Sequence, residues 1–506
     1  MRTVYRGSLV RTLSHPAEGE WLLVDERHIQ RVGSGEPPDA DRVVDLPGTT
    51  ILPGFIDSHV HLTGTGIDEA GAFLGEARSQ DELIGTLTRL AAESSHGSAA
   101  TLGHGFDETR WPDPELPRRD QLDGASDRPL IAVRADGHVS LANRAALEAS
   151  GVLELPGVDR DERGEPTGVV RREANARLQA WYHQQLSDGQ VQQYQLEAAA
   201  LAAARGVTTV HEMAIPLSRG IRDFEVLMGH LEALPVDVVP YLATLDIAYV
   251  IDAGIGRIGG DLSLDGSIGA RTAHLSHPYV DGEGTGVSYQ DDDTLCEFFH
   301  NAHLAGLQTS VHAIGDGAID QALRCWERVH QTLDSRERRH FRARLHRIEH
   351  FEMPDERMLE RAAMLGLAIS VQPAFDSEWG HPGGLYERRL GEERSLRMNP
   401  YRTLLRRGME VGAGSDAPVT PLDPALGIWS LEHHHDPDQR LSRAEALTMF
   451  TWGSARLAGL ERKKGRLEPG MQADFAAYDT DPLTAPDVRD LRPTLTVSLG
   501  REVYAR

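Results

Sequence analysis

Short stretches of alternating apolar and polar residues open the chain. Leu22 to Val24, Ile29 to Val32 and Val43 to Leu46 are separated by glycine and proline signals, the period of half-buried strands. The same pattern returns between Gly465 and Tyr504, in "GRLEPGMQADFAAYD" and "PTLTVSLGREVYAR". Two ends so far apart in sequence are expected to meet in one β unit.

Between them a helix, a glycine and a strand recur. Gln192 to Arg205, Gly206 and "VTTVHE" are followed by Thr294 to Ala305, Gly306 and "LQTSVH". Glu356 to Leu365, Gly366 and "LAISVQP", then Tyr401 to Arg407, Gly408 and "MEVGAGSD", repeat the unit. Each glycine stands where a helix C-cap takes a left-handed residue. Repeated αβ units imply a parallel sheet. The strand candidates are "TTILPGFIDSHVH", "VTTVHE", "VDVVPYLAT", "GDLSLDG", "LQTSVHAIGD", "RLHRIEHFE", "LAISVQP" and "MEVGAGSD". Eight is the closure number of a (β/α)8 TIM-type barrel. The gap between the first and second candidates far exceeds an ordinary βα connection. Residues 71–189 therefore read as an inserted α+β subdomain over the barrel mouth, with "PLIAVRAD" as a strand and Leu141 to Glu148 as a helix.

Composition narrows the function classes. A length of 506 residues calls for more than one packed unit, and the formal charge of −25 disfavours nucleic-acid and anionic-membrane partners. The two cysteines, Cys296 and Cys325, sit in no CxxC, which excludes a disulfide framework and fits a cytoplasmic protein. Cys325 falls on a helix face with Ile319, Ala322, Trp326 and Val329 and reads as core packing. No stretch approaches the ~20 apolar residues of a membrane span, and no GxSxG or P-loop occurs.

The chemistry concentrates at strand ends. His59 and His61 stand two apart on the first strand candidate, so both imidazoles face one side. One such HxH is expected by chance among 23 histidines, and His433 with His435 in "SLEHHHDPD" reads as a decoy on a polar helix end or loop. The first pair gains weight from its company: His312, His350 and Asp416 also close strand candidates, where the active sites of this barrel gather. Three or four imidazoles and a carboxylate suit a divalent cation, with zinc leading and iron, manganese, nickel and cobalt as alternatives. Such an ion lowers the pKa of water from 15.7 toward about 7, and Asp416 is the natural carrier of the released proton. Candidate substrate contacts are Arg271 in "GSIGARTA" and His138 in "RADGHVSLAN". Each has an equally simple structural reading, and His211 and Glu212 at the second strand's end carry the same ambiguity.

The segments "PGFIDSHVHL", "VHAIGD", "RIEHFE" and "GSDAPV" resemble the signature segments of the amidohydrolase superfamily, with "GVTTVHEM", "DGSIGARTA" and "LEPGMQADFAAYD" adding to the match. The long insert and "DGSIGARTA" make the chain similar to the subfamily containing N-substituted formamide deformylase. The resemblance implies a composite β-sandwich (1–52 and 463–506), a metal-dependent barrel (53–70 and 190–462) and the insert at 71–189. It also implies metal ligands at His59, His61, His312, His350 and Asp416. Many binuclear relatives bridge two ions with a carbamylated lysine on the fourth strand; this chain offers Asp261 there, which leaves one or two ions open. The expected activity is hydrolysis of a non-peptide C–N bond, an amide or N-formyl group, in a small molecule, with a homodimer as the family-based expectation for assembly. Deamination, cyclic-amide hydrolysis and a catalytically silent scaffold are the alternatives.

Overall fold

The computed structural model of the chain describes residues 1–15, 17–93 and 100–506. It is a mixed α/β fold holding a seven-stranded sheet, a five-stranded sheet in the region of the expected insert, and two all-parallel sheets of three and five strands.

Both ends of the chain build the seven-stranded sheet. Arg2–Arg11, Glu18–Asp25, His28–Gly33 and Arg42–Pro53 lie beside Phe475–Tyr478, Pro493–Ser498 and Arg501–Ala505. The junction is antiparallel, with Pro53 opposite Phe475 and Thr50 opposite Tyr478. Tyr5, Leu22, Ile29, Phe475 and Val497 share one core, so apolar faces more than 400 residues apart cover each other. This sheet is fastened to the rest of the chain by Ser498 Oγ donating to the Thr208 carbonyl (3.0 Å) and Thr496 Oγ1 to that of Ala203 (2.8 Å).

The parallel strands are β1 (Phe55–Val60), β2 (Val207–Ala214), β3 (Asp237–Leu242), β4 (Arg257–Ile258), β5 (Gln308–Ala313), β6 (Arg347–His350), β7 (Ala368–Val371) and β8 (Glu410–Ala413). One sheet runs β3-β2-β1 and the other β4-β5-β6-β7-β8. Backbone hydrogen bonds join them at both seams. Gly259 N donates to the Leu242 carbonyl (2.8 Å), while Asp416 N donates to the His59 carbonyl and His61 N to that of Ala417, each at 2.8 Å. Helices cover the outside. In Asp316–Thr332 the face Ile319, Ala322, Cys325, Trp326 and Val329 is buried as its spacing predicts, and Trp326 stacks on Phe299 at 3.7 Å. The helix Glu356–Leu365 ends where the sequence places its end, at Gly366 with φ +71°.

Two elements differ from expectation. The fourth strand is Arg257–Ile258 rather than "GDLSLDG", because Gly259 turns to φ +92° where a Cβ would strike the Ser310 carbonyl at 1.9 Å. The chain then runs irregularly beside β5, with His312 N donating to the Leu262 carbonyl and Leu264 N to that of His312. In the insert region, Leu141 lies on a strand, Val139–Ala142, paired antiparallel with Leu130–Arg134. The helix starts only at Arg144, because the Asn143 side chain caps it by accepting from Ala146 N (2.9 Å). Residues 94–99 of the expected insert lie outside the described residues. No helix among the described residues is long and apolar enough to cross a membrane.

Candidate metal centre

The C-terminal ends of β1, β5, β6 and β8, with the irregular segment after β4, bring His59, His61, His312, His350, Asp261 and Asp416 into one buried cluster. His59 Nε2 and His61 Nε2 lie 3.3 and 3.1 Å from Asp416 Oδ1. Asp261 sits between two pairs of imidazoles. Its Oδ1 is 3.9 Å from His59 Nε2, 3.0 Å from His312 Nδ1 and 3.6 Å from His350 Nε2, and its Oδ2 is 3.7 Å from His61 Nε2.

The second ring nitrogens decide what the first can do. His61 Nδ1 donates to the Met213 carbonyl (2.8 Å), and His59 Nδ1 lies 3.0 Å from Glu349 Oε2. These contacts leave both Nε2 lone pairs facing inward. His59 Nε2, both ring nitrogens of His350 and Asp416 Oδ1 are buried without a hydrogen-bond partner. Buried polar atoms are normally satisfied, so these donors fit a divalent cation bound by nitrogen and oxygen.

Electrostatics agree with the geometry. Burial disfavours an imidazolium at His59, yet Asp416, Glu349 and Asp261 hold its pKa well above the ordinary histidine value. His312, equally buried, is raised to about 9 by Asp261 and Asp265. The imidazoles overcome burial to hold Asp261 and Asp416 below the usual carboxylate range. Burial, reinforced by His312, lowers His350 to about 4. Ring protons and a cation thus compete for the same lone pairs. Asp416 sits at φ +57° and His350 at φ +71°, costly for residues with a Cβ and frequent at functional sites.

Beside the cluster lies a cavity lined by Phe375, Trp379, Leu385, Tyr386, Ile268 and Val419 on its apolar side and by Arg134, Asp136, His138, Ser267 and Glu352 on its polar side. His138 is there, its ring 6.1 Å from that of His312. Arg271 is not among the lining residues; its guanidinium is engaged by Asp281 at 2.9 and 3.0 Å, while its neighbours Ser267, Ile268 and Gly269 reach the cavity. His211 accepts from Arg347 through Nδ1 (3.1 Å), and Glu212, raised to about 7 by burial, accepts from Leu62 N (2.7 Å). Neither belongs to the cluster itself: His211 meets Arg347, and Glu212 binds the backbone next to His61.

Sequence reasoning passed over Glu349, Arg347, Glu352 and the insert's Arg134 and Asp136. The first two alternate in "RIEH" with the outward Ile348, a strand pattern that places them on the inward face. Glu352 is pushed to about 8 by burial and accepts from the Tyr386 hydroxyl at 2.8 Å. Arg134 is enclosed by Asp107, Glu108 and Asp136, partners that spacing alone does not reveal.

Comparison with known proteins agrees with this arrangement. The chain is 28% identical to the Bacillus subtilis protein YtcJ over the full length of both. It is 24% identical to the N-substituted formamide deformylase of Arthrobacter pascens, over 93% of this chain and 91% of the relative. A solved structure, an uncharacterized metal-dependent hydrolase from Pyrococcus horikoshii, superposes with a TM-score of 0.76 at 27% identity, covering 97% of this chain and all of that one. The model of the amidohydrolase family matches residues 42–504, and the chain belongs to that family.

Proposed function

We propose that this chain is a metal-dependent hydrolase that cleaves the C–N bond of a linear amide or N-formyl compound at a centre of two zinc ions. In this reading the two parallel sheets, bonded at both seams, form a single (β/α)8 barrel, and the site occupies its C-terminal face. The observation that carries it is the position of Asp261. Its carboxylate lies between the His59–His61 pair and the His312–His350 pair, within 3.9 Å of a nitrogen on each. A carboxylate so placed would hold both cations, the task a carbamylated lysine has in the binuclear relatives that the sequence resembles.

A divalent cation held by these groups supplies the positive charge that lowers the pKa of water and polarises a carbonyl. The chain's own residues do the rest. Asp416 Oδ1, buried and facing the cluster, takes the proton of the attacking water and delivers it to the leaving nitrogen. Met213 and Glu349 hold the two β1 imidazoles in the ring orientation described above. Phe375, Trp379 and Tyr386 exclude water from one side of the cavity and receive the apolar part of a small substrate. The Arthrobacter relative, named for deformylation of N-substituted formamides, supports the choice of bond.

Elemental analysis of protein purified without added metal tests the centre. Two zinc ions per chain in the wild type, falling to one in Asp261→Ala, are expected; one ion in both proteins would reduce Asp261 to a supporting role. Release of amine and formate or carboxylate from a panel of N-formyl and N-acyl amines tests the reaction. Activity confined to ring deamination would overturn it.

A further inference from the structure

We propose that Glu349 is a positioning residue for the metal centre: it fixes the tautomer of His59 so that only Nε2 is free to ligate. The inference rests on the metal-dependent reading of the site and goes beyond it, because Glu349 touches neither substrate nor reacting atoms.

Glu349 is wholly buried and has a full set of partners. Arg347 grips it with two parallel bonds, Nε to Oε1 and Nη2 to Oε2, each at 2.7 Å. The Ser310 hydroxyl also donates to Oε1. Arg347 is itself anchored by the Ser58 carbonyl (3.0 Å), the Tyr241 hydroxyl (3.1 Å) and His211 Nδ1 (3.1 Å), and it lies over the Tyr241 ring at 4.8 Å. Tyr241 in turn donates to Gln308, whose amide binds the carbonyls of Leu345 and Leu457. The carboxylate therefore has no freedom to turn. Only one acceptor position remains, on Oε2, and His59 Nδ1 occupies it at 3.0 Å.

A carboxylate accepting from Nδ1–H has two effects on the ring. It places the lone pair on Nε2, and it makes that nitrogen a stronger donor than a neutral carbonyl would. His61, whose Nδ1 meets only the Met213 carbonyl, lacks the second effect. The two β1 histidines are thus unequal, and His59 is the ligand tuned to bind more tightly.

The test is zinc affinity by competition with a chromophoric chelator, together with the visible spectrum of the cobalt-loaded protein. In Glu349→Gln the single amide oxygen can accept from only one arm of the Arg347 fork, and the neutral amide no longer holds a proton on His59 Nδ1 as a carboxylate does. The expected result is zinc binding weaker by about 10- to 100-fold, with an altered cobalt spectrum and an unchanged far-ultraviolet circular dichroism spectrum. Affinity within about twofold of wild type, in a variant that is folded, overturns the proposal. Should Glu349→Gln fail to fold, Glu349→Asp keeps the charge beside Arg347 but is too short to span both Arg347 and His59, and it is read by the same criteria. Nitrogen-15 NMR of histidine-labelled wild type, with His59 assigned from the spectrum of His59→Ala, needs no variant of Glu349 and no bound zinc. Read at a pH high enough for the His59 ring to be neutral, a proton on Nδ1 alone supports the proposal and a proton on Nε2 alone overturns it. Absence of zinc from the wild type would instead count against the metal-dependent reading, which this NMR result does not share.

Discussion

His59–His61 and His433–His435 have the same spacing and opposite fates. His59 on β1 and His61 just past its end meet the same carboxylate oxygen of Asp416. After the helix Pro424–Glu432 the backbone is irregular, and the second pair separates. His433 stacks on Trp429 at 4.4 Å and donates to its carbonyl (2.8 Å). His435 turns inward to Asp376, which accepts from its backbone N (3.0 Å) and its Nδ1. The middle residue, His434, joins this group with Nε2 3.3 Å from Asp376 Oδ1, so a second His–Asp cluster does form. It differs in its electrostatics: one carboxylate serves two rings and already holds His435 through two bonds, whereas β1 faces two carboxylates with its Nδ1 atoms tied elsewhere. The HxH spacing carries chemistry only when the backbone aims both rings at one point.

The largest contrast should come from removing one ring of each pair. His59→Ala or His61→Ala is expected to lose bound metal and to reduce hydrolysis to background, while His433→Ala keeps both, as read by elemental analysis and turnover. Asp416→Asn should lower kcat by about 10²- to 10⁴-fold with the melting temperature little changed; turnover near wild type would remove Asp416 from proton transfer. Asp376→Asn breaks the second cluster without touching the first. It is expected to cost about 1–3 kcal/mol of stability with metal content unchanged, and loss of a metal ion in this variant would make the second cluster a site as well.

The smallest effect is a pH dependence. Burial opposes a charged His435, but Asp376 raises its pKa above the ordinary value. A histidine raised on folding contributes stability that is fully present below its unfolded pKa, about 6.5, and is lost as pH rises through the folded value. The stability advantage of wild type over His435→Gln should therefore be larger at pH 6 than at pH 9, measured by urea unfolding. A gap independent of pH would mean that His435 packs without carrying charge.

The same contrast shows what was legible in the sequence. Local rules placed the end of Glu356–Leu365 at its glycine, the buried face around Cys325, and His59, His61, His312, His350 and Asp416 at strand ends, while Asp261 came from the family resemblance. They failed where a contact outside the local pattern decides. The left-handed Gly259, packed so close to the Ser310 carbonyl that a Cβ would not fit, ends β4 after two residues, and pairing with Leu130–Arg134 draws Leu141 into a strand. Glu349 was hidden for another reason. Its alternation in "RIEH" marks an inward side chain, but the task proposed for it depends on Arg347, Ser310 and His59 meeting at its carboxylate.

The seam between β1 and β8 also sets a timetable. Ser415 N donates to Asp57 Oδ1 across 358 positions of sequence, and with the bonds from Asp416 N to the His59 carbonyl and from His61 N to that of Ala417 it sets His59 and Asp416 face to face. During synthesis at about 5–20 residues per second, the histidines of β1 leave the ribosome roughly 20–70 seconds before their aspartate exists. Through this interval the growing chain carries both histidines without the Asp416 that completes their cluster.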